Sequence, residues 1–270
     1  QSIQPSEIAK FGMMLYMCAF MSRKHAVMRD FKRGMLPMLL IVGVICGLIM
    51  LQPNMSMAVI VGLMGYALLF VGGADVKQLL LLGVVLIALF FLLAWIEPYR
   101  LARLTTFTDP WNDGMDGLGS GYQLIQSYYA LGSGGLFGLG LNNSRQKLLY
   151  MTYGESDFIF SILGEELGFV GITVVMLLFG LLFWRCYRII MRQTELRDRL
   201  TAFGLTVILA MGAVMNLAVV MGVAPPKGVP MPLMSYGGSN LMATMLCVGL
   251  LMNFSRTATG KEGSIWKESS

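Results

Sequence analysis

Long apolar runs, nearly free of charge, recur along this chain: Ile8–Met21, Met35–Leu51, Met55–Val71, Leu79–Trp95, Phe158–Trp184, Leu200–Val223 and Leu241–Phe254. A bilayer crossing needs about 20 mostly apolar residues, fewer where flanking residues snorkel. Runs of this kind have no polar face to give to water, so they exclude a soluble helical core. With 56% hydrophobic and 13% charged residues, the composition agrees. The expectation is an all-α polytopic membrane protein with about seven crossings: four in 1–95, a large loop over 96–156, three in 157–255 and a tail over 256–270.

The net charge of +5 is a topology signal. Arg23, Lys24, Arg29, Lys32 and Arg33 cluster in one inter-helix loop, and Arg185, Arg188, Arg192, Arg197 and Arg199 in another. Both loops fall on one side of the bundle, which is the positive-inside pattern rather than a nucleic-acid surface. Orientation follows. The loop 96–156 and the segment "PPKGVPMPLMSYGGSN" at 225–240 lie outside, and the tail lies inside. The amino terminus then starts outside with no export signal, so upstream helices, odd in number, are expected.

Cys18, Cys46, Cys186 and Cys247 are scattered among the spans and fit no metal or disulfide pattern. His25 is the only histidine, which excludes a His-rich site elsewhere. The loop 96–156 is too aromatic to be disordered (Trp111, Tyr122, Tyr128, Tyr129, Phe137) and too long to be a mere connector. Within it Gly121–Leu131 reads as a short amphipathic helix, and Gly132–Gly140 as either a close-packed turn or a plain loop.

Asp157 closes that loop at the start of a span. Two roles stand open for it. Ser156 or Asp157 can cap the helix, or Asp157 can serve as a base. Glu165 and Glu166 follow about 12 Å deeper at 1.5 Å per residue, where a carboxylate marks a function or a buried partner. Lys227, between prolines and a glycine, either snorkels or meets a pyrophosphate, and Ser235 and Tyr236 add hydroxyls nearby. Glu7 and Lys10 share a helical face; structural glue and a polar cavity are equally compatible with them.

Together these segments resemble the SEDS family, the group of FtsW, RodA and SpoVE. The resemblance rests on "QPSEIAK" at 4–10, "QPNMS" at 52–56, "FTDPWND" at 107–113, "GSGYQLIQS" at 119–127, "ALGSGGLFGLGLNNSRQKLLY" at 130–150, "ESDFIFSILGEELG" at 155–168 and "PPKGVPMPLMSYGGS" at 225–239. "PPKG" and "DPW" are similar to the FtsW and SpoVE branch. "QPNMS" departs from the family by carrying Asn54 in place of an acid.

The resemblance implies ten spans in the whole protein, three of them upstream. It implies a peptidoglycan glycosyltransferase that polymerises lipid II on the outer face of the bacterial cytoplasmic membrane. Asp157 matches the family's essential aspartate. Substrate contacts are expected from Lys227, Glu7, Lys10, Gln126, Ser127, Ser144, Lys147, Ser235, Tyr236, Glu165 and Glu166. No cofactor is certain; a divalent cation, Mg or Mn, is a candidate, and a metal site is not specified. The partners implied are lipid II and undecaprenyl-pyrophosphate-linked glycan, a class B penicillin-binding protein, and other division or sporulation membrane proteins, with no nucleic acid. A lipid II flippase and a non-catalytic scaffold are the rival readings.

Overall fold

A computed structural model describes residues 5–52, 54–96, 107–113, 115, 117–119, 121–146, 156–225 and 228–268. Every regular element among them is helical, and besides a 3-10 turn at His25–Val27 and a π turn at Phe31–Met35 these are α1 Pro5–Arg23, α2 Leu36–Leu51, α3 Met55–Val71, α4 Val76–Ile96, α5 Tyr122–Gly134, α6 Ile159–Arg192, α7 Leu196–Val220 and α8 Gly238–Glu268. Among the described residues four stretches are long and apolar enough to cross a membrane: Phe31–Leu51, Ile159–Arg192, Leu196–Val220 and Gly238–Arg256. Met55–Val71 and Val76–Leu92 are shorter apolar helices. α1, with Glu7, Lys10 and Arg23 among its 19 residues, is not in that set.

Each helix follows its apolar run, and the ends differ for local reasons. α6 overshoots Trp184 because Arg185 and Arg188 continue the helix and lay their guanidinium groups over the Trp184 ring, 5.5 and 5.4 Å from its centroid. α5 runs three residues past Leu131. α8 continues through Glu268, beyond the expected end at Phe254. Asn54 does what the missing acid would do as a cap, its side chain accepting from the Met57 N–H at 3.2 Å.

The chain divides into two compact units. The first comprises residues 1–84, 181–211 and 238–270. Its core is rich in methionine (Met14, Met17, Met21 and Met64 are essentially inaccessible), with Leu68, Leu200 and Cys247 among them. Close approach is achieved with glycine. A Cβ on Gly65 would lie 2.8 Å from Val42, and one on Gly204 would lie 2.6 Å from Met14. Small residues at contacts are how helices associate where lipid removes the hydrophobic drive. The second unit comprises residues 85–180 and 212–237.

Candidate functional site

The second unit contains a span that is broken and then sealed. At Gly168 the backbone of α6 leaves the helix (φ 67°, ψ −166°), a conformation open essentially to glycine alone. A break inside a membrane helix strands carbonyls above it and N–H groups below it, at several kcal/mol each if exposed to lipid. The glycine-rich segment after α5 takes up both sets. Leu139 and Gly140 donate to the Glu165 and Glu166 carbonyls at 2.9 and 3.0 Å, while Phe169 and Val170 donate to Gly135 and Leu136 at 2.9 and 3.1 Å. The fit leaves no room for a methyl group: a Cβ on Gly134 would strike the Gly164 carbonyl, and one on Gly138 the Glu166 carbonyl. The two alternatives for Gly132–Gly140 thus resolve into a close-packed turn, with Gly132–Gly134 ending α5.

Glu165 serves the same seal. Its side chain is 1% exposed and accepts from Ser144 Oγ at 2.5 Å, Arg145 N at 3.1 Å and Gln146 N at 3.3 Å. Glu165 and Ser144 are therefore brought together; Glu166 is half-buried beside them. Lys147 lies outside the described residues.

Asp157 stands where α6 begins. The first helical turn closes on the Phe158 carbonyl, which accepts from Ser161 N at 3.0 Å and Ile162 N at 3.3 Å. Asp157 is one residue too early to cap, and among the described residues no helix N–H donates to its carboxylate. Burial pushes its carboxyl above the ordinary aspartate range, with a hydrogen bond from Ser156 opposing the shift. The backbone at this position is pinned. Asn216, fully buried in α7, donates through Nδ2 to the Asp157 carbonyl and the Val229 carbonyl, both at 2.8 Å. Gly228 packs directly on the carboxylate, and a Cβ there would come within 3.1 Å of Asp157 Cγ. Asn216 thereby ties the mouth of α6 to the segment that follows Lys227. Lys227 itself lies outside the described residues.

The rest of that segment is held by Ser235, whose Oγ accepts from Met231 N at 2.6 Å. Tyr236, one residue on, is 79% exposed. On α5, Ser127 is buried and donates to the Val220 carbonyl at 3.2 Å, whereas Gln126 is half-buried. Beside it the Tyr128 ring stacks on Trp111 at 5.8 Å and fills the space next to Gly222. The approach to α5 is organised by Asp113, which accepts from the N–H groups of Met115, Gly117, Gly119 and Gly121 at 2.9–3.0 Å. Those donors, Gly121 foremost, hold its carboxyl below the usual range.

Glu7 and Lys10 lie in the first unit, 8% and 9% exposed. They pair with each other, Nζ to Oε2 2.8 Å and Nζ to Oε1 3.0 Å. The pair is therefore internally satisfied.

Sequence reasoning singled out neither Asn216 nor the roles of Asp113 and Gly168. A lone amide inside an apolar run is the signal for the first. Among the described residues no three His, Cys, Asp or Glu side chains gather into a metal-holding group.

A bundle of helices among which several are long and apolar enough to cross a bilayer is a polytopic membrane protein. The family model described as "Cell cycle protein" (FtsW, RodA, SpoVE) matches residues 1–260, and the chain belongs to that family. Stage V sporulation protein E of Bacillus subtilis is 41% identical over 94% of this chain and 69% of its own length. The probable peptidoglycan glycosyltransferase FtsW of Geobacter sp. strain M18 is 38% identical over 96% of this chain and 70% of its own. Among solved structures, a chain of a peptidoglycan synthase complex superposes with a TM-score of 0.76 at 29% identity, covering 96% of this chain and 71% of that one. RodA of Thermus thermophilus gives 0.62, also at 29% identity. The higher identities to SpoVE and FtsW accord with the "PPKG" and "DPW" segments.

Proposed function

We propose that this protein is a peptidoglycan glycosyltransferase that polymerises lipid II, with Asp157 as general base. The observation that carries the reading is the state of Asp157. Its carboxylate is desolvated, spared from capping and fixed through its own backbone, in a chain that matches peptidoglycan glycosyltransferases along almost its whole length. Asp157 takes the proton from the acceptor sugar's 4-hydroxyl as that oxygen attacks the anomeric carbon of the donor. The bond from that carbon to the pyrophosphate oxygen breaks, undecaprenyl pyrophosphate leaves with the electron pair, and the configuration inverts. One positioned base contributes about 10²–10⁴-fold. Stabilising the charge on the leaving group supplies much of the remainder. That work is assigned to Lys227, one residue before the glycine packed on Asp157, and no step is routed through a metal. Chelation tests this: polymerisation that stops in EDTA would return Mg or Mn to the scheme.

The arginine and lysine clusters support an extracytoplasmic active face. The relative seen in a peptidoglycan synthase complex supports a cross-linking partner of the class B penicillin-binding type. A transporter reading would draw on the broken span, since discontinuous helices often present free ends to a substrate. Here those ends are occupied by residues 135–140, which favours the polymerase.

The test is polymerisation of labelled lipid II by the full-length protein with its cognate penicillin-binding protein. Asp157→Ala is expected to abolish polymer while membrane insertion and partner binding persist. Undiminished polymer from that variant would sink the assignment, and loss confined to partner binding would leave only a scaffold.

A further inference from the structure

We infer that the turn joining α1 to α2 is a binding site for one anionic phospholipid, a feature separate from the catalytic reading. A cavity of 520 Å³ opens there, lined by Arg23, Lys24, Ala26, Val27, Arg33 and Pro37. Three of its six lining residues are cations. Among the described residues none of the three has a carboxylate partner, the only salt bridge being Lys10–Glu7. The acid of this turn, Asp30, is turned to accept from the Lys32 N–H at 3.0 Å.

The cavity is built rather than incidental. The turn is hydrogen-bonded along its length: Lys24 N to Phe20 O at 2.9 Å, Val27 N to Lys24 O at 3.0 Å, Asp30 N to Val27 O at 3.0 Å and Gly34 N to Asp30 O at 2.9 Å. Gly34 packs so tightly on Val27 and Met28 that a side chain there has no space, which holds the segment entering α2 against the turn. Lys24 is steadied over the Phe20 ring at 4.9 Å. A cluster of cations without carboxylate partners, where α1 turns into the span of α2, is the arrangement that takes a phosphate headgroup.

What continues from the cavity identifies the source of the phosphate. Leu36, Leu40, Val44 and Leu48 are all exposed and, four residues apart, continue from Arg33 down one face of α2. Gly43 and Gly47 flank this stripe, with nothing within 4 Å of a Cβ added to either. From Leu36 to Leu48 the stripe runs about 18 Å, roughly one leaflet of a hydrocarbon core of about 30 Å. An acyl chain lying there reaches a headgroup in the cavity. A helix from a second copy would cover the glycines but leave the three cations uncompensated.

The experiment is native mass spectrometry and thermal melting of the full-length protein with phosphatidylglycerol, with phosphatidylcholine, and with inorganic phosphate. Wild type is expected to retain one phosphatidylglycerol in preference to phosphatidylcholine. Arg23→Gln/Lys24→Gln/Arg33→Gln weakens retention by roughly a hundredfold, about fivefold per cation. The charge-matched control Lys77→Gln/Arg197→Gln/Arg199→Gln, which alters exposed residues outside the cavity, leaves it intact. Leu36→Ala/Leu40→Ala weakens lipid retention without changing any response to phosphate. Equal loss in the two triple variants overturns the site in favour of general surface charge. Displacement of the lipid by millimolar inorganic phosphate overturns a lipid in favour of a free anion, and a dimer that retains no lipid assigns the stripe to a second copy.

Discussion

Asp157 sits one residue before the carbonyl that closes the first turn of α6, and that offset decides its chemistry. A capping aspartate would spend its lone pairs on helix N–H groups and hold its proton weakly. This one is desolvated and holds its proton more tightly than an ordinary aspartate. As an acid at the mouth of an apolar run it is legible in the sequence. Its release from capping is not, because the two roles differ by a single residue in where the helix starts. Asn216 was illegible for another reason: its two acceptors lie 59 and 13 residues away, so only the fold brings them together. Asn216→Ala leaves two carbonyls without a donor, at about 1–3 kcal/mol each. The expected result is a lower kcat for lipid II polymerisation with little change in KM, and an acid limb of the pH–rate profile displaced to lower pH as the freed carboxylate meets water. Asn216→Asp, which turns a negative charge on both carbonyls, is expected to be worse than alanine. An unmoved pH profile in both variants would reduce Asn216 to a packing residue.

At the scale of elements, the sequence shows the span over Phe158–Trp184 but not its interruption. Glycine is common inside membrane helices, so Gly164 and Gly168 carry no mark that one of them breaks the helix. The glycines at 134, 135, 138 and 140 do carry a signal, since such a density beside a span permits backbone-to-backbone contact. Their partner is what the sequence withholds. Glu165, read as an acid at cost in the membrane, proves to be part of the seal, and its burial is offset by three donors from 144–146. Gly168→Ala combines a disallowed backbone conformation, of order 1–3 kcal/mol, with a collision against Leu136 and Gly138. Gly168→Ala and Gly138→Ala are both expected to lower the melting temperature of the purified protein and to expose the 135–146 segment to protease. Gly180→Ala, where a Cβ meets nothing within 4 Å, is the control that should melt like wild type. If all three melt alike, the seal contributes no stability.

At the scale of the whole molecule, the run pattern and the charge clusters are enough to declare a polytopic bundle, because bilayer thickness and headgroup charge act on the chain without regard to its tertiary detail. Individual contacts are not declared that way, and two carboxylates of the second unit show the consequence in how the protein responds to pH. Asp113 has its pKa lowered by four backbone donors, so its contribution to stability is present above the unfolded value of 3.8 and is lost as pH falls below it. Asp157 has its pKa raised, so the folded state holds the proton longer than the unfolded one; stability falls as pH climbs from 3.8 through the folded pKa, and the deficit is complete above it. With Asp157 as the proposed base, activity is expected to rise through the window in which its ionised carboxylate costs stability. Asp157→Asn should therefore melt higher than wild type at neutral pH while making no polymer, a difference that closes as the melt is repeated toward pH 4. Asp113→Asn should show the reverse, melting lower at neutral pH, because its amide presents N–H groups to two of the four donors. Melting curves of the three proteins between pH 4 and pH 8 decide the matter. A wild type as stable as Asp157→Asn at neutral pH would mean that burial does not penalise the ionised carboxylate, and the tuning argument for the base would fall with it.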